Sequence, residues 1–562
     1  MEIWEFIAFT LRIAAPFLAV VILSVCFWSL HDGRRNDHAL VVLQDANTGK
    51  IYPVTFWENL IGRSDKTDIC VEEDMTISRE HAVLLRRDTG WYVTDIGSKA
   101  GVYVNEQKIK GRHMVFVGDK ISLGNTTLIL KRVDDTKENT RTRVSGTPVK
   151  KSVSGTFLLV LITFYMILIS TEAMIYVRDI LYLIPIALFV LVMWAFHKFS
   201  NRFLKIKHFE LEAIAFLLAG TGIVMCSTYG NRFGYMQLAA TAIGLCIFSF
   251  IVWFIKVPDR VIYWRLIMSV FAILMLGAAA VFGKEVNGAS NWVFIGPFSL
   301  QPSEFAKVAY IFIGAGTLDQ LQKLQNLLGF IIVTAICILI LGYISDFGTA
   351  LIFFAAFIII SYLRSGDMRK IMILAAVALI GAFFILMMKP YVADRFQVIG
   401  NVWEHSDSLG YQQANTLICS ASGGLFGLGT GNGNLRYIMA SESDLIFGTI
   451  SEEMGLISAL ILAVTIGGFM IYARTVILKS RSVFYSMAAC SAGGLLVFQA
   501  ALHIFGILGM LPLTGVTLPF VSYGGSSMMA CWGLLAFIKA ADERTYYKKS
   551  TAEKPKRGEV LI

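Results

Sequence analysis

The residues able to do chemistry in this chain of 562 residues are few and sit in apolar surroundings. Asp444 stands where a long polar stretch, about 389–443, gives way to an apolar run that begins Leu445-Ile446-Phe447. Glu304 and Lys307 lie three apart in the run 302–318, on one face of a helix. Arg395 follows the run 371–388, Glu453 lies further along the run that Asp444 opens, and His503 falls inside the run 482–510. Ionisable side chains within a span are costly unless they are paired or functional. A carboxylate at the mouth of a span can face a headgroup-level cavity, a place suited to taking a proton from an attacking hydroxyl. The alternative for Asp444 is that it caps the first turn of its helix. Glu304 with Lys307 reads equally as a local ion pair and as a contact to substrate. Glu453, two turns below Asp444 on the same predicted span, reads as structural, and His503 as a satisfied interior histidine.

The elements that carry these residues are membrane spans. The chain is 56% hydrophobic with only 16% charged residues, and its mean hydropathy is +0.64. A soluble chain of this length carries more charge, and several apolar stretches reach the about 20 residues that cross a bilayer. The first, 4–30, has Glu2 and Glu5 near its start, Arg34 and Arg35 after it, and no small-x-small site near Trp28-Ser29-Leu30. It reads as an uncleaved anchor over 1–32 rather than a signal peptide. Two additional spans follow within 153–200, at about 155–176 and 180–197. Ten more are expected near 211–228, 234–256, 262–282, 302–318, 328–344, 346–363, 371–388, 444–472, 482–510 and 517–540. The net charge of +9 is concentrated in short connectors: Lys198 to Lys207, Lys256 to Arg265, Lys323, Arg364 to Lys370, Arg474 to Arg481 and the tail 543–562. With these spans every basic connector falls on one side, the positive-inside distribution. Nucleic acid is therefore not an expected partner. The C-terminus and the region 38–132 are expected in the cytosol, and 389–443 outside, where so long a loop is usually functional. Six cysteines lie in apolar runs, while Cys70 and Cys419 fall on opposite sides. No Cys/His cluster has metal spacing, so neither disulfides nor zinc are expected.

From 38 to 132 the composition changes to short alternating runs such as Leu40-Val41-Val42-Leu43 and Trp91-Tyr92-Val93, punctuated by Gly and Asp. This predicts a β-sandwich. Residues 133–152 are Thr-rich and basic without periodicity and read as a linker. In the sandwich region Gly62-Arg63, Ser78-Arg79-Glu80-His81, Asp95-Ile96-Gly97-Ser98, Gly101-Val102-Tyr103-Val104-Asn105 and Gly118-Asp119 occur in order. Together they resemble the forkhead-associated (FHA) domain, an 11-strand sandwich whose loops bind phosphothreonine peptides. The resemblance implies that Arg63 and Ser78 hold the phosphate, that Arg79 and Lys99 assist, and that His81 braces the loops. A dianionic phosphate needs such a fixed guanidinium with short donors around it. The family's usual Asn before Gly101 is Ala100 here, which leaves a plain docking module as the alternative. Thr136, Thr140, Thr142 and Thr147 of the linker are candidate ligands in cis; the other expected partners are a phosphothreonine protein or a Ser/Thr kinase.

Three clusters follow in the spans: Gly288-Ala289-Ser290-Asn291-Trp292 with Gln301-Pro302-Ser303-Glu304-Phe305-Ala306-Lys307; Asp444-Leu445-Ile446-Phe447 with Glu452-Glu453-Met454-Gly455; and Pro512-Leu513-Thr514-Gly515 with Leu518-Pro519-Phe520-Val521-Ser522-Tyr523-Gly524-Gly525. With Tyr411-Gln412 and Gly423-Gly424 they resemble the SEDS family of FtsW, RodA and SpoVE over about 208–542. The resemblance implies a polytopic α-helical membrane protein, a ten-span core with about three extra N-terminal spans and an inserted all-β domain. It implies an inverting peptidoglycan glycosyltransferase of the bacterial plasma membrane that polymerises lipid II into a growing glycan strand for cell shape, division or sporulation. The usual companion is a class B penicillin-binding protein. Asp444 matches the family's essential acid, and Arg395 a family Arg that meets the diphosphate. Gln301, Glu304 and Lys307 are carried as substrate-binding candidates. No metal site is expected, and a divalent cation, Mg or Mn, at the diphosphate is the one candidate cofactor. The chain departs from the family at Asn291, usually Arg, at Met439-Ala440-Ser441-Glu442, usually Pro-Glu-x-His, and at Leu428, usually Lys. Two other functions fit ten spans with buried charges: a lipid II flippase or transporter, and an inactive scaffold recruited through the sandwich.

Overall fold

The computed structural model describes residues 3–32, 39–65, 67–87, 90–133, 153–204, 206, 208–256, 258–286, 289–295, 298–318, 324–365, 390–477 and 482–542, with 369, 372 and 376 as isolated positions. The linker threonines, the tail 543–562 and nearly all of the span expected at 371–388 lie outside these residues.

Eleven short strands build the region after the first helix: β1 (Val41–Asp45), β2 (Ile51–Val54), β3 (Glu58–Gly62), β4 (Ile69–Cys70), β5 (Ala82–Arg87), β6 (Gly90–Asp95), β7 (Val102–Val104), β8 (Gln107–Lys108), β9 (Arg112–Val115), β10 (Lys120–Leu123) and β11 (Thr126–Lys131). They form a six-stranded sheet ordered β2-β1-β11-β10-β7-β8 and a five-stranded sheet ordered β4-β3-β5-β6-β9. The alternation seen in the sequence puts Leu43, Ile61, Leu84, Val93, Ile121 and Leu128 inward, into a core separate from that of the helices. The two-layer β-sandwich is thus present as expected.

The helices are α1 (Ile3–Asp32), α2 (Gly155–Val177), α3 (Leu183–Phe199), α4 (Glu210–Thr228), α5 (Asn231–Phe254), α6 (Pro258–Phe282), α7 (Pro302–Leu318), α8 (Leu324–Tyr343), α9 (Phe347–Ser365), α10 (Pro390–Gln397), α11 (Tyr411–Gly423), α12 (Ile446–Glu453), α13 (Leu456–Ile477), α14 (Val483–Ile507) and α15 (Gly525–Ala541). Among the described residues eight helices are long and apolar enough to cross a membrane, and three shorter apolar helices stand with them. Every residue of α4 is buried, which makes it the centre of the bundle. α1, α2 and α3 share one continuous apolar core with the later helices. A three-stranded sheet of Lys284–Val286, Ala289–Ile295 and Phe298–Leu300 joins α6 to α7.

Three expectations are corrected. The span drawn at 444–472 is two helices, α12 and α13, broken at Met454-Gly455. Gly455 has a φ of +90°, and a Cβ there would lie 2.3 Å from the Leu425 carbonyl oxygen, so only glycine lets the two segments meet. α12 starts only at Ile446, so Asp444 stands before the helix that carries Glu453 and the two are not on one continuous helix. The last span begins at Gly525, and 517–524 is non-helical backbone. The polar stretch 389–443 is not an open loop but carries α10, α11 and a 3-10 turn at Leu435–Tyr437.

Candidate functional site

Asp444 lies in the turn before α12, not on it. The N-cap of α12 is Leu445 and no side chain caps it, so the helix-capping alternative for Asp444 fails. The Asp444 N–H bonds the carbonyl of Ala440 at 2.8 Å, and Ala440 has a positive φ of 63°. The segment 515–523 holds this turn from the opposite side. The Ser522 hydroxyl donates to the Ser443 carbonyl at 2.7 Å, and the Tyr523 N–H donates to the Glu442 carbonyl at 2.9 Å. Gly515 backs the carboxylate, a Cβ there being 3.4 Å from Asp444 Oδ2. Burial pushes the Asp444 carboxyl up to about 6; the Ser443 hydroxyl lowers it, the charge of Glu442 raises it further, and Arg395 draws it back. Arg395, on α10, donates to the Leu513 carbonyl at 2.6 Å. Its burial lowers its own pKa, opposed by the Asp444 charge. Arg395 and Asp444, from segments 49 positions apart, thus lie near enough for each charge to act on the other.

Glu304, Lys307 and Gln301 occupy a second centre. Lys307, 1% exposed, donates to Glu304 at 2.8 Å and to Gln499 Oε1 on α14 at 2.9 Å. Gln499 in turn donates to the Thr517 carbonyl at 2.9 Å and hydroxyl at 3.1 Å, and Thr517 shares a 2.6 Å bond with Ser527. His503 Nδ1 meets the Val516 carbonyl at 2.7 Å. This network therefore ends on 516–517, next to the Gly515 that backs Asp444. Gln301 donates through its N–H to Ser526 Oγ at 2.9 Å and through Nε2 to Asp346 at 3.2 Å. Asn291, where the family usually has Arg, donates to the same Asp346 oxygen at 3.1 Å. Asp346 was missed in the sequence, although a lone carboxylate beside the apolar run 347–363 was a usable signal.

Glu452 and Glu453 hold backbone rather than substrate. Glu453 accepts from the N–H groups of Gly431 and Gly433 at 2.7 and 3.3 Å. Glu452 accepts from those of Asn434 and Leu435 at 2.8 and 2.9 Å. They fix the segment that leads into the Asp444 turn. Among the described residues no three His, Cys, Asp or Glu come together as metal ligands.

In the sandwich, Ser78 and Arg63 face each other across the Arg63 N–H to Ser78 carbonyl bond of 3.1 Å. The Ser78 hydroxyl accepts from the Lys99 N–H at 3.1 Å. His81 is fully buried and bridges two loops, its Nδ1 accepting from the Ser78 N–H at 3.1 Å and its Nε2 meeting the Gly101 carbonyl at 3.1 Å. Arg79 and Lys99 stay exposed beside half-buried Arg63 and Ser78. These five residues thus form one loop cluster at the end of β3. The other end of β3 docks on the bundle. Glu58 accepts from the Ser482 hydroxyl at 3.3 Å and from the Val483 N–H, at the start of α14, at 3.1 Å. Trp57 packs edge-on against Tyr485 at 5.9 Å. An acidic side chain at a helix N-terminus also complements the helix dipole.

Residues 214–547 match the family model described as cell cycle protein, that of FtsW, RodA and SpoVE, and residues 59–124 match the FHA domain model. A probable peptidoglycan glycosyltransferase FtsW of Wigglesworthia glossinidia brevipalpis is 28% identical over 367 residues, covering 61% of this chain and 96% of the relative. Another, of Bacillus subtilis (strain 168), is 29% identical over 393 residues, covering 63% and 95%. The peptidoglycan glycosyltransferase RodA of Mycobacterium leprae is 26% identical over 382 residues, covering 62% and 81%. A chain solved in work on the coordination of polymerization and crosslinking by a peptidoglycan synthase complex shares the fold of the core. It is 23% identical with a TM-score of 0.52, covering 60% of this chain and 98% of that one.

Proposed function

The chain belongs to the FtsW, RodA and SpoVE family, and we propose that it is a peptidoglycan glycosyltransferase that polymerises lipid II into glycan strands. The observation that carries this reading is Asp444, whose turn is held by hydrogen bonds at Glu442, at Ser443 and at its own N–H, within electrostatic reach of Arg395. Transfer from an α-linked diphosphate donor to a β-linkage inverts the anomeric carbon. Asp444 takes the proton from the acceptor hydroxyl as that oxygen bonds the anomeric carbon, and the sugar–phosphate bond breaks on the opposite face. Arg395 meets the negative charge that the departing lipid diphosphate gathers. Glu304 and Lys307 act behind this pair, holding Thr517 through Gln499, while Gln301 ties Ser526 to Asp346. Among the described residues no three carboxylate, His or Cys side chains gather around Asp444 to hold a cation. A Mg or Mn ion at the diphosphate would take most of its ligands from the substrate, as Mg²⁺ commonly does, and no step is derived through it.

The basic connectors support a plasma-membrane orientation with the sandwich and C-terminus in the cytosol and Asp444 at the extracytoplasmic face. The loop cluster of Arg63, Ser78, Arg79 and Lys99 reads a phosphothreonine, on a partner or on the 133–152 linker, set by a Ser/Thr kinase. A class B penicillin-binding protein is the expected companion that crosslinks the product. Incubation of the purified chain, alone and with such a partner, with labelled lipid II tests the activity. Polymer is expected from the wild type and none from Asp444→Asn; equal polymer from both removes Asp444 from the chemistry, and none from either removes the reading.

A further inference from the structure

α1 and α2 precede the stretch matched by the FtsW, RodA and SpoVE model, yet they grip the segment that leads to Asp444. Glu172 on α2, 2% exposed, accepts the Thr430 N–H on both carboxylate oxygens, at 3.1 and 3.2 Å. Arg12 on α1 stands 3.4 Å from Glu172, donates to the Tyr176 hydroxyl at 3.1 Å and also donates to the Gly427 carbonyl. Gly429 has a φ of +116°, and a Cβ there would lie 2.4 Å from the Tyr176 ring, so the loop backbone lies directly on α2. From the core side Glu452 and Glu453 hold 431–435. The backbone N–H groups of 430, 431 and 433–435 therefore all end on carboxylates.

Two charges on apolar helices are costly to place there. A pair that served only to join α1 to α2 could keep its hydrogen bonds between those helices; this pair directs them to the main chain of 427 and 430. From there the chain passes Arg436, which donates to the Gly431 and Thr228 carbonyls at 2.6 and 2.7 Å, and reaches the Ala440–Asp444 turn. We infer that Arg12, Glu172 and Tyr176 are positioning residues for Asp444. They fix 427–431 and through it the approach of the carboxylate to the acceptor hydroxyl, an inference that rests on the polymerase reading of the site.

The test uses the full chain in lipid nanodiscs, as Arg12→Gln, Arg12→Lys and Glu172→Gln. Hydrogen exchange over 425–445, thermal midpoint and polymerisation against lipid II concentration are measured together. Exchange at 427–435 should rise at least tenfold while exchange elsewhere and the midpoint hold. kcat should fall about tenfold, since small misplacements of a reacting group are expensive in rate, with KM changed less than threefold and Arg12→Lys intermediate. Unchanged exchange at 427–435, or raised exchange with wild-type kcat, overturns the inference. If the wild type makes no polymer, the polymerase reading fails instead, and the exchange arm still reports whether the grip exists. Should Glu172→Gln unfold, Tyr176→Phe removes only the hydroxyl that Arg12 meets; a smaller rise confined to the same residues supports the inference, and no local change overturns it.

Discussion

Ser522 and Ser443 are joined by a 2.7 Å hydrogen bond from hydroxyl to carbonyl, across 79 positions of sequence. That bond sets the residue before Asp444 against the segment that follows α14. Ser522 also accepts from the Leu518 N–H at 2.8 Å, so its own rotamer is fixed.

Ser522→Ala should therefore lower turnover while leaving the fold in place. One neutral hydrogen bond contributes about 1 kcal/mol to stability, but a loosened Asp444 turn should reduce kcat about tenfold. Steady-state polymerisation, with the thermal midpoint as control, checks this; a falling midpoint with unchanged kcat would mean the bond serves stability alone.

The pH profile follows from the raised Asp444 pKa. A general base works only when ionised, and burial holds this carboxyl protonated up to about pH 6 rather than the ordinary value near 4. The rate should thus fall about tenfold per pH unit below 6 and level off above it. An Arg395→Gln variant loses a charge that favours the carboxylate, so its acidic limb should move to higher pH. Polymerisation rates between pH 4.5 and 8 decide the matter; a limb that moves down or stays would separate Arg395 from Asp444.

Lys307 sits 1% exposed between Glu304 and Gln499. Lys307→Met leaves a buried carboxylate uncompensated, which typically costs about 3–5 kcal/mol. Adding Glu304→Leu should recover much of the loss. Unfolding in detergent measures both variants. A single variant that keeps its stability but raises KM for lipid II would instead favour the substrate-contact role.

In the sandwich, His81→Ala should weaken phosphothreonine-peptide binding at least tenfold without touching phosphate directly. The ring joins the Ser78 N–H to the Gly101 carbonyl, so its loss frees both loops. Calorimetry of the 38–132 segment, which has its own apolar core, compared with Arg63→Ala, checks this. Wild-type affinity in His81→Ala would leave the brace without a binding role.

By itself the sequence determined the membrane class, the β-sandwich and the candidate acid. Apolar run length, strand alternation and motif spacing are local properties, and the spans and strands follow from them. Its errors came where a local pattern met a distant constraint. The run from 444 reads as one span, yet it breaks at Gly455, against which the backbone of 425–426 lies. Arg12 and Glu172 were passed over as single charges in apolar runs, since nothing in either run says that they meet each other and the backbone of 427 and 430. Likewise Asp346 gained its partners, Asn291 and Gln301, only when α9 and the strands before α7 came together. Hydrogen bonds between segments tens to hundreds of residues apart depend on how the helices pack. The tertiary structure alone therefore decided what holds Asp444 in place, where Glu304 and Lys307 point, and which end of the sandwich faces the bundle.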